Sequence, residues 1–158
     1  MHSAELVWIT PDSEQLIGKI ARVSNPANEN NPNVVGLLKY LIKHRHWSPF
    51  EMASMCLEIQ TTRAIAPQIL RHRSFSFQEF SQRYAVATEV EMPHLRRQDL
   101  KNRQNSIDDM PQAIEANFGQ DISDHFQAAK KLYQEMLDAG VAKECARAVL
   151  PLNTTTRL

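Results

Sequence analysis

The chain has 158 residues, 42% of them hydrophobic, with 18 Lys plus Arg balanced by 18 Asp plus Glu. That length and apolar content suit one globular domain and exclude a disordered tail or a coiled coil. Zero net charge removes the broad field that draws a protein to nucleic acid or to a membrane surface, so any polyanion must be met locally. No segment approaches the roughly 20 apolar residues of a membrane span, and the opening MHSAELVWIT has no basic region followed by an apolar core, so a cytoplasmic location is expected. Two cysteines, Cys56 and Cys145, are too few for a disulfide scaffold and are expected to be buried thiols. The four glycines, at 18, 36, 119 and 140, are too far apart for a glycine-rich phosphate loop. A bound nucleotide must therefore be held by side chains, above all by arginine, whose fork matches phosphate oxygens.

In chain order, Glu5 to Thr10 is short, apolar and β-branched and predicts a buried strand ending at Pro11. Asp12 or Ser13 then caps a helix that carries Leu16, Ile17, Ile20 and Ala21 at helical spacing as far as Ser24. Residues Asn25 to Asn33 hold two prolines and five asparagines, which is turn chemistry. A second helix is expected from Val34 to near His46, with Leu37, Leu38, Leu41 and Ile42 on one stripe. From Met52 to Gln60 the period changes to two, as in a half-buried strand. Thr62 is placed to cap a helix running from Arg63 to about Arg73, kinked or delayed by Pro67. Ala85 to Asn105 is polar, and its basic stretch at 95–103 is expected to form a solvated, irregular excursion. A long helix from about Asp121 to Ala139 is expected to bury Ile122, Phe126, Leu132, Tyr133, Met136 and Leu137, with Gly140 just past its end. A last helix, Val141 to Val149, is halted by Pro151. There is no internal repeat. The expectation is an α+β fold, a small and mainly antiparallel sheet covered by helices in a single domain over residues 1–158.

Chemistry concentrates in Gln68 to Tyr84, QILRHRSFSFQEFSQRY. Arg71, His72 and Arg73 side by side repel one another unless an anion or a carboxylate lies among them, and Glu79 is the carboxylate at hand. Physics alone leaves three readings open: a salt-bridge knot between Glu79 and the arginines, a nucleic-acid patch built on the interleaved phenylalanines, and a site for a small anionic ligand.

This stretch resembles the flavin-dependent thymidylate synthases. Their signature of Arg-His-Arg, seven residues and Ser occurs as Arg71, His72, Arg73 and Ser81, followed by Arg83 and Tyr84. Three flanking pieces agree in order: ARVS at 21–24, HWSPFE at 46–51 and ARAVLP at 146–151. Gln78 stands where an asparagine is common, and Met52 where a histidine is frequent. The resemblance implies methylation of dUMP to dTMP with methylenetetrahydrofolate as carbon donor, NADPH as reductant and FAD as hydride carrier, in a homotetramer. It implies dUMP contacts at Gln68, Arg71, Glu79, Ser81, Arg83 and Arg147, and FAD contacts at Ser48, Arg71, His72, Arg73 and Glu79. Family members continue past the ARxVLP segment into a flavin-binding stretch and the arginine that polarises the uracil ring, which would lie beyond Leu158. By resemblance, then, this chain is expected to lack the usual C-terminal segment and to hold no catalytic residue of its own. That makes a separate C-terminal fragment a partner to look for, and a non-catalytic nucleotide-binding or assembly subunit the alternative function.

Ser81 has no paired base among its sequence neighbours and is expected to anchor phosphate or ribose rather than act as a nucleophile. His72 is expected to orient the flavin. His44 and His46, one residue apart and without a third ligand, are not expected to bind metal.

Overall fold

The computed structural model describes residues 2–87 and 89–158. The backbone divides into two compact units, one of residues 4–58 and the other of residues 59–158 with the first three residues. The fold is α+β, as expected. One three-stranded sheet has the order β1-β2-β5, and a separate two-stranded sheet is formed by β3 and β4.

In the 4–58 unit, β1 (Ser3–Ile9) is followed by α1 (Ser13–Arg22) and α2 (Val34–Lys43). Leu6, Val7, Trp8 and Ile9 are all exposed, so β1 is not the buried strand its composition suggested. An apolar run reports strand propensity, whereas burial depends on what packs over it. Asp12 caps α1 in the left-handed region at φ 48°, and the helix ends at Arg22, two residues before Ser24. Its Ile17 is buried, and Gly18 lets the Val34 side chain approach so closely that a Cβ there would stand 3.1 Å from Val34 Cγ1. The Asn33 side chain caps α2 by accepting from the Gly36 N–H at 2.8 Å. A Cβ at Gly36 would meet that carboxamide at 2.6 Å, so the cap depends on glycine. A short 3-10 turn, Ser48–Met52, comes next and takes Met52 out of the expected strand. β2 therefore runs Met55–Thr62, displaced toward the C-terminus from the 52–60 expected. Thr10 and Ser54 fasten the two strands, with Thr10 N donating to the Ser54 carbonyl and Ser54 N to Thr10 Oγ1, both at 2.9 Å.

The other unit begins with the second half of β2. It pairs antiparallel with β5 (Thr155–Arg157) in the register Gln60–Arg157, Thr61–Thr156 and Thr62–Thr155. Leu158 continues the ladder past β5, its N–H donating to the Ile59 carbonyl at 2.9 Å and its carbonyl accepting from Ile59 N at 3.0 Å. The sequence gives no periodic hint of β5, which is three residues long and exists through this pairing. Thr62 is thus a strand residue and not a helix cap. The expected helix over 63–73 contracts to a single turn, α3 (Ala66–Ile69), with Pro67 in its first turn. Proline suits the start of a helix, and Leu70 to Arg73 then leave it as turns.

β3 (Arg97–Gln98), within the polar excursion, and β4 (Ser106–Ile107), just past its end, form a small antiparallel hairpin, so the stretch is more ordered than expected. The long helix α4 (Gln112–Asp138) starts nine residues earlier than Asp121 and has 27 residues. Its added first turns carry Ile114 and Phe118, which extend the spacing of Ile122 toward the N-terminus yet are exposed, and Gly119 among them has open space around it. Ala129 and fully buried Tyr133 lie four residues apart on the face that packs against the elements that follow. Leu132, expected in the core, is exposed, because it lies one residue, about 100° of helix, before Tyr133 and so off the packed face. Gly140 ends α4 at φ 84°, with Val141 N donating to the Met136 carbonyl and Gly140 N to the Leu137 carbonyl, both at 2.9 Å. This is a Schellman closure at the glycine expected for it. The last helix is split into α5 (Lys143–Ala146) and a 3-10 turn, Arg147–Val149. Cys56 and Cys145 are exposed free thiols and not the packed ones expected: Cys56 lies in the uncovered first part of β2, where Met55 and Leu57 are exposed too, and Cys145 in the four-residue α5.

Candidate functional site

The second unit gathers most of the residues singled out by the sequence. β2 ends in two buried threonines, Thr61 and Thr62, and hands the chain to Arg63, whose N–H donates to the Thr154 carbonyl at 2.9 Å. The segment after the RHR triplet returns alongside β5, where Phe80 N donates to the Arg157 carbonyl at 2.8 Å. These two backbone bonds place Arg63, Glu79 and Thr156 together. Arg63 Nη1 lies 3.1 Å from Glu79 Oε1, and Thr156 Oγ1 donates to the same oxygen at 3.0 Å. Glu79 is therefore not the partner of Arg71 or Arg73, and the knot between Glu79 and those arginines, one of the three readings left open, does not form among the described residues. Leu158, past which the resemblance puts the ring-polarising arginine, is two residues from Thr156 and held to β2 through Ile59.

Ser81 works locally, accepting from Arg83 N at 3.3 Å, while its carbonyl accepts from Tyr84 N at 3.1 Å. The resulting turn aims Arg83 toward α5, where its Nε lies 3.3 Å from Glu144 Oε2. Lys143 closes the turn from the other side by donating to the Tyr84 carbonyl at 3.1 Å. Arg147, one turn beyond Glu144, donates from Nε to the Glu144 carbonyl at 3.3 Å.

These elements border an open cleft of about 410 Å³ lined by Arg63, Gln82, Glu144 and Arg147 and by the apolar Ala148, Leu150, Pro151 and Leu152. Its size falls in the range of small-molecule sites, roughly 300–1,000 Å³. Gln82 is only 3% exposed, and its Nε2 has no hydrogen-bond partner among the described residues. A buried amide donor left unpaired carries a desolvation cost.

Arg71, His72 and Arg73 are exposed on turns. Arg71 Nη1 donates to Gln68 Oε1 at 3.5 Å, which joins two of the expected nucleotide contacts. The His72 ring stacks on Phe75 with centroids 4.0 Å apart and planes 10° from parallel. No carboxylate pairs with Arg71 or Arg73 among the described residues, leaving both cations for an anionic ligand. Ser48 belongs to the 4–58 unit, where it opens the 3-10 turn and is exposed. In that unit His44 stacks near Tyr40, with centroids 4.2 Å apart.

Sequence reasoning thus found Glu79, Arg83 and Arg147 but missed Arg63, Gln82, Thr156 and Glu144. Arg63 and Gln82 stand within or beside the stretch already singled out. The only sequence signal for Gln82 was its place between Ser81 and Arg83.

Comparison with known proteins bears on this arrangement. The family model described as Thymidylate synthase complementing protein matches residues 5–158. A flavin-dependent thymidylate synthase of Synechocystis sp. is 59% identical over 145 residues, covering 92% of this chain and 67% of its own length. A probable flavin-dependent thymidylate synthase of Paramecium bursaria Chlorella virus 1 is 49% identical over 165 residues, covering 99% of this chain and 76% of its own. Among solved structures, a UMP/dUMP methylase, PolB, from Streptomyces cacaoi, bound with 5-Br dUMP, superposes with a TM-score of 0.85 at 30% identity. It matches 99% of this chain and 70% of that one.

Proposed function

The chain belongs to the flavin-dependent thymidylate synthase family, and from that premise we propose that it methylates dUMP at C5 to give dTMP. The observation that carries this reading is the cleft of about 410 Å³ lined by Arg147, Arg63 and Gln82, with Arg83 one residue along the chain from Gln82. The nucleotide analogue bound to the similar Streptomyces methylase supports dUMP as the occupant.

The roles follow from the donors. Arg83 engages Glu144 through Nε alone, at an exposed site, so its two Nη groups are open to the phosphate of the nucleotide. Arg147 binds the nucleotide from the cavity wall, and Ser81 anchors phosphate or ribose beside it. Gln68 holds Arg71 in place and shares its ligand. Glu79 accepts a donor of the ligand, while Ser48 and the RHR triplet serve the flavin.

The residues present fit FAD. A diphosphate needs bidentate cations that are not already neutralised, and Arg71 and Arg73 meet that condition; His72, paired with Phe75, offers a flat surface at the same place. When bound, the reduced flavin supplies the hydride that completes the methyl group, with NADPH as its reductant and methylenetetrahydrofolate as the carbon donor. The proposal includes a homotetramer. It is supported by exposed Leu6, Val7, Trp8 and Ile9 on β1 and exposed Met55 and Leu57 on β2, apolar area on both faces of the strands whose burial between subunits would be favourable.

The test is incubation of the chain with dUMP, FAD, NADPH and methylenetetrahydrofolate, followed by chromatographic detection of dTMP. Product that depends on all four components is the expected result. A folded chain that binds dUMP yet forms no dTMP would contradict the catalytic reading and favour a nucleotide-binding subunit.

A further inference from the structure

Two donors converge on one oxygen of Glu79, and among the described residues none is found on the other. Arg63 Nη1 and Thr156 Oγ1 both reach Oε1, at 3.1 and 3.0 Å, and neither reaches Oε2. The Glu79 side chain is 23% exposed and that of Arg63 30%, so the pair is partly withdrawn from water, where a carboxylate needs compensation. Thr156 is 6% exposed and fixed in β5 opposite Thr61, and the residue after Glu79 is tied to β5 by the Phe80 N–H. Both the backbone and one carboxylate oxygen of Glu79 are thus anchored to the sheet. Arg63 also stands on the cavity wall that carries Gln82 and Arg147.

We infer that Arg63 and Thr156 are positioning residues that lock the Glu79 carboxylate through Oε1, so that Oε2 is presented to a hydroxyl or N–H donor of the nucleotide. The inference rests on the reading that Glu79 contacts dUMP. Arg63 contributes twice. It removes the rotamer freedom that Glu79 would otherwise lose on binding, and its charge offsets the repulsion between a carboxylate and the nucleotide phosphate. Thr156 contributes through geometry alone, since its hydroxyl carries no charge.

The test is a double-mutant cycle read by calorimetric titration of dUMP into the 158-residue chain. Glu79→Ala is expected to weaken dUMP binding about tenfold, and Arg63→Ala to weaken it about five- to tenfold. In a Glu79→Ala background, Arg63→Ala should add less than about a twofold change, because a residue that acts through Glu79 has nothing left to position. Thr156→Val should weaken binding about threefold and Thr156→Ser should restore it, while Thr156→Val is silent beside Glu79→Ala. Thermal unfolding without ligand identifies a variant that fails to fold, in which case the Thr156 pair carries the test. Unchanged or tighter binding in Glu79→Ala would remove Glu79 as a dUMP contact, and the inference with it. Weakened binding in Glu79→Ala with losses from Arg63→Ala and Thr156→Val that multiply in the double variants would overturn the positioning role alone.

Discussion

Two arginine-bearing stretches of the same unit face the solvent with opposite electrostatic habits. In the hairpin, Arg97 meets Asp109 through two bonds, from Nε at 2.9 Å and from Nη2 at 2.6 Å. The hydrogen bond from Arg97 holds the Asp109 carboxyl below its usual range, and the same pair raises the Arg97 pKa. Asp99 is likewise satisfied at home, its carboxyl lowered chiefly by the Lys101 N–H and then by the Asn105 amide and the Asn102 N–H. Across Arg71 to Arg83 the cations are uncommitted or held by a single nitrogen. The contrast teaches that a count of arginines does not locate an anion site. What locates it is whether local carboxylates have already used the guanidinium fork.

The sharpest way to break this contrast is to remove fork after fork and follow the nucleotide. Arg83→Ala and Arg147→Ala should each weaken dUMP binding by about 1.5–3 kcal/mol, the worth of a charge-assisted hydrogen bond. Arg97→Ala should leave calorimetric affinity unchanged. Equal losses in all three variants would make the effect one of general charge. The next largest effect is expected on the flavin: Arg71→Ala or Arg73→Ala should raise the FAD dissociation constant about tenfold in a fluorescence titration, with a reduced salt dependence. If both variants bind FAD as the parent does, the triplet serves something else.

How far these residues could be read in advance depended on the reach of their contacts. The Schellman end at Gly140 was legible because its determinants lie within a few residues of one another. The RHR helix was not, because Pro67 suits a helix start and apolar spacing cannot say that the helix lasts one turn. β5 was invisible, since Thr155 to Arg157 is extended by virtue of pairing with a strand some 95 residues earlier in the chain, a tertiary effect that local propensity does not encode. The same holds for the site. Arg83 and Arg147 stand in short motifs that carry the family resemblance, whereas Arg63 acquires its role through Glu79, 16 residues on, and through Thr156, 77 residues beyond that. The basic stretch at 95–103 misled for a related reason, because its neutralising Asp109 lies just outside it.

Smaller effects sharpen the hairpin side. Asp109→Asn should leave dUMP and FAD binding within about twofold while speeding amide exchange over 97–107, since an exposed ion pair adds local order more than global stability. Unchanged exchange would show that the turn around Asp99 holds the hairpin alone. The smallest expected effect is that of acid. Asp99 and Asp109 have depressed pKa values in the fold, so their stabilising contribution is present above the ordinary carboxylate range near 4 and is lost as pH falls through the lower folded values. Amide exchange at the hairpin, corrected for its intrinsic pH dependence, should therefore be flat from neutral pH down to about pH 4 and rise below it.

Arginine-selective labelling with phenylglyoxal, quantified by peptide mass spectrometry with and without dUMP and FAD, tests the central claim most directly. The account predicts that ligands slow modification of Arg71, Arg73, Arg83 and Arg147 and leave the rate at Arg97 unchanged. Protection at Arg97 with unaltered rates at Arg83 and Arg147 would contradict it.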